Sequence, residues 1–144
     1  MIRILAVGKM KDKRLAALVD DLLKRTPPLA KTEIVEIRDS DPEREGHEMV
    51  DRLGSSRGNQ LVVALDEHGD AVTSVALSKL LGAHGDVAFL IGGADGLGPV
   101  ARERADRTLR LSSMTLTHEM ARLLLVEQVY RGLTILRGMP YHRA

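Results

Sequence analysis

The chain closes on Pro140-Tyr141-His142-Arg143 before Ala144. An imidazole moves a proton near neutral pH, a guanidinium grips phosphate through a planar fork, and a phenol ring packs on a base. Chain ends are ordinarily frayed and uninformative, so the residue types alone leave the two readings level. Upstream stands Val126-Glu127-Gln128-Val129-Tyr130-Arg131. Glu127 can orient such a tail or act as a base itself; its plain alternative is an ion pair with Arg131 four residues on.

A second chemistry-bearing run is Leu90-Ile91-Gly92-Gly93-Ala94-Asp95-Gly96-Leu97-Gly98-Pro99, with four glycines in seven residues. It follows the apolar run 87–91 and precedes a proline that can open a helix. Ligands in open α/β sheets sit outside the carboxyl ends of strands, and glycine lets backbone approach them closely. A single glycine pair would read as a tight turn; four favour a ligand loop. The spacing is not the dinucleotide fingerprint, and no G-K-[ST] follows for a nucleoside triphosphate. A third run, Leu111-Ser112-Ser113-Met114-Thr115-Leu116-Thr117, is small and hydroxylic, and alone reads as an ordinary loop with a helix cap.

Other chemistries find less support. Asp66-Glu67-His68-Gly69-Asp70 lacks calcium-loop spacing and is expected to be a polar turn after a strand. The five histidines share no zinc-ligand spacing, no G-x-S-x-G occurs, and there is no cysteine. No metal is expected. The opening segment is too short and β-like for a signal peptide, and no apolar run is long enough for a bilayer.

These runs need positioning elements. Ile2–Val7, residues 32–38, Leu61-Val62-Val63-Ala64-Leu65, residues 87–91 and residues 108–111 read as strands. Apolar runs without alternation suit strands covered on both faces, as in a parallel sheet. Leu15, Leu18, Val19, Leu22 and Leu23 fall at helical spacing and stop at Thr26-Pro27-Pro28. Asp41-Pro42-Glu43 opens a second helix, which residues 55–59 are expected to break. Ser74 is expected to cap a third, Pro99 to open a fourth, and Thr117 to precede a fifth that is apolar around most of its girth. The pattern predicts an α/β fold around a mostly parallel sheet with flanking helices.

The net charge of +1 hides an asymmetry. Residues 101–144 hold eight arginines, no lysine and four acids. With only Phe89, Tyr130 and Tyr141 as aromatics, the chain cannot bind RNA by stacking many bases. It would have to read phosphates and shape.

Taken in order, residues 90–98, 111–116, 126–131 and 140–143 resemble the family that methylates N3 of a pseudouridine in large-subunit ribosomal RNA, a SPOUT class of enzyme. The likeness spans essentially the whole chain, including Val7-Gly8-Lys9, and is most specific over residues 87–143. It implies a single SPOUT domain over residues 1–144, an α/β-knot with a C-terminal trefoil knot, and a homodimer whose interface includes the helix from His118. It implies S-adenosylmethionine held by Leu65, Gly92, Gly93, Leu111, Ser112, Ser113, Met114, Thr115 and Leu116. The tail would complete the active site against the partner's cofactor. His142 is then the first candidate base, Glu127 orients the tail or acts as base, Arg143 grips a phosphate and Tyr141 packs on the target base. The implied substrate is 23S rRNA in the assembled ribosome, in the cytoplasm. A non-catalytic ribosome-binding module of the same fold is the rival; a dinucleotide oxidoreductase is disfavoured by the glycine spacing. Gly138 and Ala94-Asp95 stand where some relatives carry Asn and Pro-Glu, and Asp95 is assigned no role.

Overall fold

The computed structural model describes residues 1–54 and 60–143. The expected helix break at residues 55–59 lies outside them. Strands and helices alternate along the chain: β1 (Ile2–Val7), α1 (Lys13–Arg25), β2 (Thr32–Ile37), α2 (Pro42–Leu53), β3 (Gln60–Ala71), α3 (Ser74–Ala83), β4 (Asp86–Ile91), α4 (Pro99–Arg104), β5 (Arg107–Arg110) and α5 (His118–Leu136). The strands form one five-stranded sheet in the order β2-β1-β4-β3-β5. Every pairing is parallel, so the expected α/β fold is the one found.

The sheet is buried on both faces, which explains the unbroken apolar runs. Ile2, Ile4, Val63, Phe89 and Ile91 point to a layer that includes Val19 of α1, Leu77 of α3 and Leu125 and Val129 of α5. Leu5, Val7, Val62 and Leu90 point to the other, with Met49 and Leu53 of α2 and Ala101 of α4. Phe89, Ile4, Leu5 and Leu90 are wholly inaccessible to solvent. No helix among the described residues is long and apolar enough to cross a membrane.

Two sequence expectations shift. The cap of α3 is Thr73, whose Oγ1 accepts from the Ala76 amide. Ser74 is the first helical residue, and its hydroxyl donates to Gln128 Oε1 at 2.5 Å. The expected polar turn at residues 66–70 is instead a continuation of β3. Both Leu65 and Asp70 register against Leu109 of β5, so the ladder slips and resumes. Gly69 permits this, because a Cβ there would lie 2.7 Å from the Leu109 carbonyl carbon. Polar residues marked the segment as a turn, while pairing to β5 decided its conformation.

The carboxyl edge of the sheet is tied to α5 by Arg122, only 3% exposed. Its Nη2 donates to the carbonyls of Val7 at 3.2 Å and Gly8 at 2.8 Å. Its Nη1 pairs with Glu36 at 3.2 Å. Glu119, one turn earlier, accepts from the amides of Lys11 at 2.9 Å and Asp12 at 3.0 Å. Thus the first turns of α5 are clamped to the loop after β1. Replacing Arg122 by alanine leaves two carbonyls short of a donor and opens a cavity. We expect Arg122→Ala to lose about 2–4 kcal/mol of stability in urea unfolding. A loss within experimental error would show that the clamp contributes nothing net.

Candidate active site

A cavity of about 970 Å³ opens at the carboxyl edge of the sheet. Its walls come from the ends of β3, β4 and β5, the loop before α1 and the start of α5. This is where ligands bind in open parallel sheets. Leu65, Ile91, Leu97, Leu111, Met114 and Leu116 supply apolar wall; Asp12, Glu67, Asp95, Ser112 and Thr115 supply polar wall.

The glycine loop is shaped by its own backbone. A Cβ on Gly92 would lie 2.4 Å from the carbonyl carbon of Gly96. Gly96 has φ +75, and Gly93 and Gly96 form an isolated bridge. Gly92 is therefore required by the closure of the turn itself, whatever occupies the cavity. The opposite wall is fixed by Asp66, whose carboxylate pairs with Arg102 and accepts from the His68 amide at 2.7 Å. Burial pushes the Asp66 carboxyl up, but the His68 amide and the Arg102 guanidinium outweigh it, and the net shift is downward. Arg102 also reaches back with Nε to the Leu97 carbonyl at 2.9 Å. One guanidinium thus joins the β3 wall to the glycine loop.

A second polar cluster sits farther along α5. Glu127 Oε1 accepts from Tyr141 Oη at 3.0 Å and from Arg131 Nε and Nη2 at 3.0 and 2.6 Å. Its Oε2 accepts from Gln128 Nε2 at 2.8 Å, and Gln128 is held in turn by Ser74. Arg131 Nη1 lies 3.1 Å from His142 Nδ1. A guanidinium only donates, so Nδ1 accepts, and a neutral ring carries its proton on Nε2. Tyr141 packs edge-on against Tyr130 with ring centroids 4.8 Å apart and lies under the Arg131 guanidinium. Burial and the bond to Glu127 raise its phenol pKa, keeping it a donor. The tail is thus ordered on the helix rather than frayed. The helical ion pair of Glu127 with Arg131 and the contact of Glu127 with the tail both exist, and they share one oxygen.

The pocket and the tail cluster are separate within one chain. Ala121 is the last residue of α5 in the pocket wall, and Glu127 lies roughly 9 Å farther along the axis. Of the residues that sequence reasoning grouped for a cofactor, Leu65, Gly92, Gly93, Leu111, Ser112, Met114, Thr115 and Leu116 line the cavity; Ser113 does not. Glu127, Tyr141 and His142 are brought together, while exposed Arg143 forms no hydrogen bond or ion pair with them. Asp66 and Glu67 were missed as pocket residues because their run read as a turn, and Arg102 because its pairing with Asp66 reaches from α4 to β3. Gln128 and Ser74 were missed because their bond joins residues 54 positions apart.

Comparison with known proteins settles the kinship of this arrangement. A family model described as "Predicted SPOUT methyltransferase" matches residues 1–142. The chain belongs to the SPOUT methyltransferase family. Among its relatives, a protein of Parasynechococcus marenigrum (strain WH8102) named ribosomal RNA large subunit methyltransferase H is 46% identical, covering 99% of this chain and 96% of the relative. One of the same name from Anaeromyxobacter dehalogenans (strain 2CP-C) is 42% identical, covering 99% of both. A third, from Nitrosospira multiformis, is 39% identical over 98% of this chain and 97% of its own. Membership in the SPOUT family makes this chain a methyltransferase, and so implies a methyl donor.

Two outcomes follow from the pocket of this SPOUT protein. Gly92→Ala should destabilise the fold as well as the site, lowering the melting temperature before any ligand is added; an unchanged melting temperature would mean the loop opens freely. Because the folded pKa of Asp66 is depressed, its contribution to stability is whole above the ordinary value of 3.8 and is lost as pH falls through the lowered one. Asp66→Asn should therefore flatten the acid limb of the unfolding profile, and an identical acid limb in both proteins would refute the pair's role.

Proposed function

We propose that this chain transfers a methyl group from S-adenosylmethionine to N3 of a pseudouridine in 23S rRNA, acting on the assembled ribosome in the cytoplasm. The relatives' shared name supports the RNA class. The observation that carries the reading is the physical separation of a ligand pocket and an ordered Tyr141-His142 tail on one helix. Neither end is a complete site, and a second copy supplies what each lacks. In this reading residues 1–144 act as one knotted SPOUT domain, paired as a homodimer through α5.

The pocket suits the donor. Its volume is within the usual range for small-molecule sites. Its apolar wall of Leu65, Leu111 and Leu116 matches a flat purine, and Glu67, Asp95 and Glu119 outnumber Arg110 in the lining, giving it the sign that favours a cation. Gly92, Gly93, Ser112, Met114 and Thr115 complete the cradle. S-adenosylmethionine would supply an electrophilic methyl group on a sulfonium centre; the chain's residues hold the acceptor in line and deal with the imide proton.

The carboxylate of Glu127 already accepts from Tyr141, Arg131 and Gln128, which fits an orienting role better than proton uptake. His142 is then the base. Its basic lone pair is on Nδ1, covered by Arg131 in the free protein, so proton uptake requires that contact to open. An arriving phosphate, also gripped by Arg143, is suited to draw Arg131 away. Tyr141 presents its ring to the target base. Alignment supplies roughly 7–11 kcal/mol of such a barrier, and a positioned base adds about 10²–10⁴-fold.

Calorimetric titration with S-adenosylmethionine beside NADH should show binding of the first alone. Binding of neither would favour the rival ribosome-binding module. With assembled ribosomes as substrate, His142→Ala should lower kcat by about 10²–10⁴-fold with donor affinity unchanged, and Glu127→Gln should lower it less. Equal turnover in both variants and the parent would overturn these roles. Mixing a Gly92 variant with His142→Ala, each inactive alone, should recover activity through mixed dimers; no recovery would place both halves of the site in one copy.

A further inference from the structure

Five of the eight arginines at the arginine-rich end of the chain turn their charge inward. Arg102 pairs with Asp66, Arg104 with Asp106 and Arg131 with Glu127. Arg122 is buried on the sheet, and Arg137 donates to the Leu29 carbonyl. Arg110 keeps its charge in the pocket wall, and further free positive charge beside the pocket comes from elsewhere. Lys9, Lys11 and Lys13 are exposed, and their ammonium groups have no ion-pair or hydrogen-bond partner among the described residues. They alternate along the segment that joins β1 to α1. Asp12 within that segment, and Leu15 just beyond it, line the pocket.

Three observations set this segment apart from an ordinary solvated loop. It is held in shape: the Gly8 amide donates to Ile37, the Gly8 carbonyl accepts from Arg122, and Glu119 takes the amides of Lys11 and Asp12. Its charge also runs against local electrostatics. The first turn of α1 contains no acid and begins Lys13-Arg14, whereas the first turns of α2 and α5 carry Glu43 and Glu119 and those of α3 and α4 carry no acid but no lysine either. Cations at the positive end of a helix dipole cost roughly 0.3–1 kcal/mol each, and local rules are broken chiefly at functional places. Finally, half of the chain's six lysines fall in these five positions. The one acid among them, Asp12, is taken up by Arg14 and the helix cap.

We propose that Lys9, Lys11 and Lys13 form a phosphate-binding rim that seats the RNA strand flanking the nucleotide presented to the pocket. The proposal rests on the RNA methyltransferase reading. Ammonium groups act as point charges without a fork geometry, so the rim fixes the position of the strand and leaves base choice to the pocket and tail. Fixing the strand here also explains how a chain of near-zero net charge engages a polyanion: a few cations are concentrated where the target must enter.

The test is steady-state methylation of assembled ribosomes by the full-length protein at several salt concentrations. The variant Lys9→Gln/Lys11→Gln/Lys13→Gln should raise KM for ribosomes roughly tenfold or more, while the slope of log KM against log salt falls by about two to three. Its kcat and its calorimetric affinity for S-adenosylmethionine should match the parent. The triple replacement by arginine should restore KM. Lys24→Gln/Lys31→Gln, which removes charge at the opposite edge of the sheet, should leave KM and slope unchanged. If the parent methylates ribosomes but the glutamine variant keeps its KM and slope, the rim is overturned and the methyltransferase reading stands. If only donor binding or kcat falls, the lysines serve the pocket's structure and the rim is again overturned. No methylation by the parent would overturn both readings at once.

Discussion

A guanidinium with almost no access to water holds this molecule's working edge together. Burying Arg122 is expensive, because a desolvated ion is repaid only by good geometry and satisfied hydrogen bonds. Glu36, the carboxylate opposite, is itself about half exposed at 43% and contributes modestly. The Val7 and Gly8 carbonyls therefore carry much of the compensation, and the Nε has no partner. What this secures is direction. The end of β1, the loop before α1 and the first turns of α5 are referred to one point. The pocket mouth and the helix that carries the tail then share a frame.

That frame explains how α5 can serve two chemistries. Near its start it contributes His118, Glu119 and Ala121 to the pocket wall. Farther on it contributes Glu127 and Arg131, on which the C-terminal residues fold back. Between them, Leu125, Val126 and Val129 are buried against the sheet and its neighbouring helices. A rigid rod fixes the distance from pocket to tail.

The sequence was most readable where one local rule decided the outcome. Ile2–Val7 came out residue for residue, because a short apolar run closed by glycine has few other uses. Asp41 with Pro42, and Thr117, were legible as helix starts because capping is local chemistry. The glycine loop was recognised as a place of close approach, yet its tightest approach proved to be to its own backbone at Gly96. The continuation of β3 past Leu65 was not legible, since its cause is the register against β5, more than 35 residues away in sequence. Nor was the inward turn of the arginines, which depends on partners such as Asp66 and Glu36 from other elements. The grouping of the cavity residues followed from family likeness rather than from pattern.

The order of strands has a further consequence, for assembly in time. The closest-spaced partners in the sheet, Gln60 and Asp86 of β3 and β4, are already 26 residues apart. The central junction of β1 with β4 joins Ile2 to Val87. Among the described residues no hairpin exists to nucleate the sheet, and each pairing must first close a long loop at an entropic cost. During synthesis β1 and β2 have only each other until β4 is made. The chain therefore spends much of its early life with its most apolar strands uncovered, and folds on the slow side for its size.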